Sequence, residues 1–131
     1  MYLLDTNICL QIIRQRAPQA LAQLTSRAIT EVWVSSLTVA ELHYGVAKSR
    51  QPGQNQQALE QFLLPLSIIP FDAEDALVYG RVRALLEAQG QPIGAIDTLL
   101  AAQALRHTFT LVTNNVREFA RVPGLSIEDW T

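Results

Sequence analysis

Three observations predict an α/β fold with a mainly parallel central sheet. Short apolar runs alternate with longer segments of helical periodicity along the whole chain. Strands separated by helices of that length call for right-handed crossovers and helices on both sheet faces, a three-layer α/β/α arrangement of four to five strands. The first run, Tyr2-Leu3-Leu4, ends in Asp5 and small polar residues, as at the rim where open parallel sheets bind ligands.

Strands are expected at Tyr2–Leu4, Glu31–Val34, Ser67–Pro70 and Phe109–Thr113, with a weaker one near Leu125–Ile127. Helices are expected at Ile8–Arg16 and Pro18–Arg27. Another starts at Ser36, where Thr38 and Glu41 have capping-box spacing and Val39, Leu42 and Val46 share a face. The polar Ser49–Gln57 stretch reads as a loop running into a helix at Gln54–Leu64. Asp72 caps a long helix with Val78, Val82, Leu85 and Leu86 turned inward, which Gly90 stops. Gln91-Pro92-Ile93-Gly94 turns into a last helix, Ile96–His107, that buries Ile96, Leu99, Leu100 and Ala104.

The 131 residues suit a single domain, 1–131, with a real core, and 49% hydrophobic residues exclude a disordered chain. No apolar run approaches the roughly 18 residues of a membrane span, so a soluble, cytoplasmic protein is expected. Cys9 is the only cysteine, which excludes an intramolecular disulfide and a thiolate metal cluster; it reads as buried filler. The net charge of −2 argues against a general nucleic-acid coat. Yet the basic residues other than Lys48 are all arginines, which fork onto phosphate. Arg81, Arg83, Arg106, Arg117 and Arg121 can form a basic rim about an acidic centre or lie on ordinary solvated helix faces.

That acidic centre is the main functional signal. Asp5, Glu41, Asp97 and Glu118 come from well-separated segments. Each alone has a bland explanation: a helix cap, a first-turn charge or a surface ion pair. Together they weaken it, because Asp5 and Glu118 follow strands and Asp97 opens a helix aimed at the same rim. Two carboxylates about 4 Å apart repel by about 4 kcal/mol at an effective dielectric of 20, so such a group persists only with protons or cations. Oxygen donors without a His/Cys cluster favour Mg²⁺ or Mn²⁺ over zinc, and with them metal-assisted phosphodiester chemistry. Asn7 and Asn115 can donate to a phosphate or to a metal-bound water, and Thr113 can hold a carboxylate. Gly45 either leaves room beside Glu41 or permits tight helix packing. His43 and His107 read as structural or surface residues, Trp33 and Trp130 as packing groups.

Leu4-Asp5-Thr6-Asn7, Ala40-Glu41-Leu42 with Gly45, Ile96-Asp97, and Thr113-Asn114-Asn115 with Glu118-Phe119 resemble the motifs of PIN-domain ribonucleases, and among them the VapC toxins of bacterial toxin–antitoxin pairs. The resemblance continues through Val122-Pro123-Gly124-Leu125 and Glu128-Asp129-Trp130. It implies a Mg²⁺- or Mn²⁺-dependent endoribonuclease that forms homodimers and is neutralised by a cognate antitoxin. The implied substrate is a structured RNA, foremost a tRNA and specifically the anticodon stem-loop of initiator tRNA. Asp5 and Asp97 match the core metal ligands, with Glu41 and Glu118 as the third and fourth acids. Many members carry an aspartate two residues after the threonine, where this chain has Asn115, so the fourth position lies open between Glu118 and Asn115. Arg81, Arg83 and Arg117 are the candidate RNA phosphate contacts.

Other classes share single features. A dehalogenase-type phosphoaspartate enzyme requires a second acid where Asn7 stands, and a receiver-like switch domain requires an adjacent acidic pair that is missing. A degenerate domain that binds nucleic acid or a partner without cutting remains compatible with the same residues.

Overall fold

The computed structural model describes residues 1–131. Five strands, β1 (Tyr2–Leu4), β2 (Val32–Ser35), β3 (Ser67–Ile69), β4 (Thr110–Val112) and β5 (Ile127–Glu128), form one sheet in the order β3-β2-β1-β4-β5. Every neighbouring pair is parallel. Leu4 lies opposite Val34 on one side and Val112 on the other, so all three strands end at one rim.

Seven helices cover the sheet: α1 (Thr6–Ile13), α2 (Pro18–Thr25), α3 (Ser36–Ala47), α4 (Pro52–Leu63), α5 (Ala73–Ala88), α6 (Ala95–His107) and the short α7 (Val116–Phe119). Alternation along the strands builds two cores. Leu4, Val32, Val34 and Val112 face α1 to α4 together with Ile8, Ile12 and Leu42. Leu3 and Leu111 face the other way, onto Val82, Leu86, Leu100, Ala101 and Phe119 of α5, α6 and α7. Buried on both faces, the central strands read as continuous apolar runs. Cys9 is wholly buried, and that burial pushes its thiol well up. Trp130 is buried and Trp33 packs against the second core.

Asp72 caps α5 as expected, in a capping box with Asp75, and Gly90 ends that helix in the left-handed region at φ +66°. Three expectations require correction. Ser35, not Thr38, caps α3 through Leu37 N–H; Thr38 is buried inside the helix, so Thr38 and Glu41 form no capping box. Leu85 is 41% exposed, because the stripe facing α6 on this 16-residue helix runs through Val82 and Leu86. Helix α1 starts at Thr6, two residues before the expected Ile8, since Asp5 caps it.

The region where α5 meets α6 carries a polar network. Asp75 is fully buried and accepts from Asp72 N–H at 3.0 Å and from Arg106 at 3.1 Å. Arg106 also reaches Asp72 and Glu74, while His107 Nε2 lies 3.4 Å from Asp75. Arg106 stands near the C-terminus of α6, nine residues and roughly 13 Å along the helix from Asp97. It therefore belongs to this network and not to a basic rim about the acidic centre.

Candidate active site

The sheet topology collects the acids. Asp5 directly follows β1, with its N–H bonded to Val112 O at 3.0 Å. Helix α3 leaves the same rim after β2 and carries Glu41 in its second turn. Because α6 runs antiparallel to β4, which it precedes, its first turn returns to that rim with Asp97. Glu118 sits on α7, just beyond β4.

Asp5, Asn7, Glu41, Asp97, Asn114 and Asn115 line one open cleft of about 460 Å³. Asp5 is 5% exposed and accepts from Ile8 N–H at 2.8 Å and from the Thr113 hydroxyl. Burial raises its pKa against those two bonds, and the charges of Asp129 and Glu41 push the same way. The Asp97 carboxyl is pushed up to about 6, first by burial, then by the charge and hydrogen bond of Glu118, then by Asp5 and Glu41.

Hydrogen bonds fix the remaining acids. The Thr6 hydroxyl donates to Glu41 Oε1 at 2.6 Å and lies 3.2 Å from the Thr38 hydroxyl. Glu118 Oε1 accepts from Gly94 N–H at 3.0 Å, and its Oε2 accepts from the Asn115 side-chain amide. Asn115 N–H donates to Thr113 Oγ1 at 2.9 Å, and Asn7 donates to Asn114 Oδ1 at 2.9 Å. Around Gly45 the space is open, with nothing within 4 Å of an added Cβ, so close helix packing does not account for this glycine. It lines a groove of about 120 Å³ between α1, α3 and α4 with Leu10, Ile13, Leu42 and Val46; Leu10 also lines the acidic cleft.

The predicted arginines lie away from the cleft lining. Arg83 is held by Tyr79 at 3.0 Å and Glu87 at 3.6 Å, Arg121 donates to Pro92 O at 3.1 Å, and Arg81 and Arg117 are exposed on α5 and α7. Thr6 and Gly94 are the contacts that the sequence reading missed. Their signals were present: a hydroxyl beside the first acid, and a glycine immediately before the helix of Asp97.

No three Asp, Glu, His or Cys side chains converge on a point at metal-ligating distance. The chemistry of the cleft nevertheless fits a hard cation. Its donors are carboxylate and amide oxygens, no lysine or arginine lines it, and Asp97 is raised by burial first and by the neighbouring acids after it. Asp5, Glu41 and Asp97 are the carboxylates of the lining that could hold such a cation; Glu118 lies outside the lining.

The sequence matches the PIN domain family model over residues 2–125, nearly the whole chain. The chain belongs to the PIN-domain family. It is 43% identical over 131 residues to the ribonuclease VapC2 of Rickettsia felis, covering 99% of this chain and 98% of that protein. It is 36% identical over 129 residues to the tRNA(fMet)-specific endonuclease VapC of Salmonella typhimurium, covering 98% and 97%. Among solved structures, the VapBC2 complex of Rickettsia felis bound to a promoter DNA fragment superimposes with a TM-score of 0.94 at 41% identity, covering 99% of this chain and 98% of that one. The parallel five-stranded sheet between helical layers is thus a PIN fold, and the likeness to VapC ribonucleases runs end to end.

Proposed function

We propose that this chain is a divalent-cation-dependent endoribonuclease toxin of the VapC type. The observation that carries the reading is the convergence of Asp5, Glu41 and Asp97 on one open cleft with no basic side chain in its lining. A bound Mg²⁺ or Mn²⁺ would lower the pKa of a water, orient it and neutralise charge building on a phosphoryl oxygen. The chain's own residues prepare that place. Thr113 and Ile8 N–H fix the Asp5 carboxylate, Thr6 fixes Glu41, and Asn7 and Asn114 set an amide edge along the path of a sugar-phosphate backbone. A cleft open to solvent admits an exposed RNA loop more readily than a base-paired stem.

The substrate class we infer is a folded tRNA, cut in the anticodon stem-loop of the initiator species. Support comes from the relatives of Salmonella typhimurium and Shigella flexneri, both named tRNA(fMet)-specific endonucleases. With few aromatic groups near the cleft, selection by shape and by arginine contacts to phosphate suits the surface better than base stacking. The protein works as a homodimer in this reading.

Its inhibitor is a cognate antitoxin. Related toxins have been solved as VapBC complexes, and in this chain the apolar groove joins the acidic cleft at Leu10. An antitoxin segment that seats apolar side chains on Leu10, Ile13 and Val46 can present a basic side chain to the acids. No helix is long and apolar enough to cross a membrane.

The deciding experiment incubates purified protein with initiator tRNA, with and without Mg²⁺ or Mn²⁺. Cleavage that requires the cation and is lost in Asp97→Asn supports the reading. Absence of cleavage under every condition, or full activity of Asp97→Asn, overturns it.

A further inference from the structure

Both oxygens of Glu118 are engaged within the protein. Oε1 takes Gly94 N–H at 3.0 Å, from the residue that caps α6, and Oε2 takes the side-chain amide of Asn115. Through Gly94, one acid thus ties α7 to the start of the helix that carries Asp97. Asn115 is itself held, because its N–H donates to the buried Thr113 hydroxyl, the group that also bonds Asp5. Thr113, Asn115 and Glu118 thus form a chain of hydrogen bonds from the end of β4 to the start of α6.

We propose that Asn115 is a positioning residue for the cation site, acting through Glu118. Its Nδ2 donates to the Glu118 carboxylate, the one side-chain hydrogen bond that Asn115 makes. An asparagine here does what a carboxylate could not, since an aspartate at 115 would meet Glu118 charge to charge. The amide fixes the position of the Glu118 carboxylate at the start of the helix that carries Asp97, and with it the set of acids offered to a cation. This inference rests on the proposed function, because it concerns how tightly that site takes its ion.

The test is a double-variant cycle on RNA-free protein, with Mn²⁺ binding followed by calorimetry in the wild type, Asn115→Ala, Glu118→Ala and the double variant. Outer-shell partners of metal ligands typically contribute 10–100-fold to affinity, so Asn115→Ala should weaken Mn²⁺ binding about tenfold. In the Glu118→Ala background the same change should add nothing. A second readout needs no metal: the Asn115 side-chain amide signal in a nuclear magnetic resonance spectrum should shift in Glu118→Ala, and circular dichroism should show both single variants folded. Unchanged Mn²⁺ affinity in Asn115→Ala, or losses that simply multiply in the double variant, overturn the positioning role while leaving the ribonuclease reading intact. A folded wild type that binds no Mn²⁺ overturns both together.

Discussion

At the residue scale, Asp97 carries the clearest electrostatic signature. Its carboxyl titrates near 3.8 in the unfolded chain and at about 6 in the fold. Between these pH values the folded protein keeps a proton that the unfolded chain has released, so this group's contribution to stability falls as pH rises through that window. Asp97→Asn cannot ionise and removes the fall. Metal-free thermal melts from pH 4 to pH 8 should therefore show Asp97→Asn as stable as the wild type at the acid end and more stable above about pH 6; a variant that melts lower throughout would contradict this. The same variant, like Asp5→Asn, should lose metal-dependent RNA cleavage. Glu118 is tied to Gly94 and Asn115, so under the proposed function Glu118→Gln should cut the rate less than Asp97→Asn. Equal inactivity of the two in single-turnover assays would reverse that ranking. Recovery of Glu118→Gln by Asn115→Asp would move the fourth ligand to position 115.

At the scale of elements, α7 is a single turn that owes its place to Phe119, which is fully buried in the second core. A four-residue helix has little stability of its own, so the aromatic anchor sets the position of its neighbour Glu118. Phe119→Ala should lower the unfolding free energy by about 3–5 kcal/mol, measured by urea titration, and should lower activity more than a comparably destabilising change far from the rim. The α5–α6 pair depends on another device. Arg106 satisfies the fully buried Asp75, and removing only the arginine leaves that carboxylate short of a partner. Arg106→Met should lower the melting temperature, and adding Asp75→Asn should recover part of the loss. No recovery would show that the arginine acts mainly through Asp72 and Glu74 at the surface.

At the scale of the whole molecule, Leu10 lines both the acidic cleft and the apolar groove, so under the proposed function substrate and antitoxin would occupy adjoining surface. Charge removal in Asp5→Asn, Glu41→Gln and Asp97→Asn should weaken antitoxin binding; an unchanged affinity across all three would place inhibition elsewhere. For the substrate, intact tRNA, its isolated anticodon-loop oligonucleotide and unstructured RNA of equal length should be cut at descending rates. Equal rates would rule out recognition of the folded molecule. Replacing Arg81, Arg83 or Arg117 should weaken binding and flatten its salt dependence while leaving the scissile position unchanged.

The sequence by itself determined the strand–helix alternation, the cap at Asp72 and the stop at Gly90, because these depend on local periodicity and on residue types near one another in the chain. Its errors mark where neighbours in space take over. Thr38 has the spacing of a cap yet is buried beside Thr6, Leu85 has the spacing of a core residue yet faces solvent, and Arg106 is drawn to Asp75 at the end of α6 remote from Asp97. Only the tertiary structure decided that Glu118 is held by Gly94 and Asn115, and that Leu10 joins groove to cleft. The reason is physical. A hydrogen bond spanning 24 residues, as between Gly94 and Glu118, is created when the parallel sheet brings α6 and the end of β4 to one rim, and no local pattern encodes it.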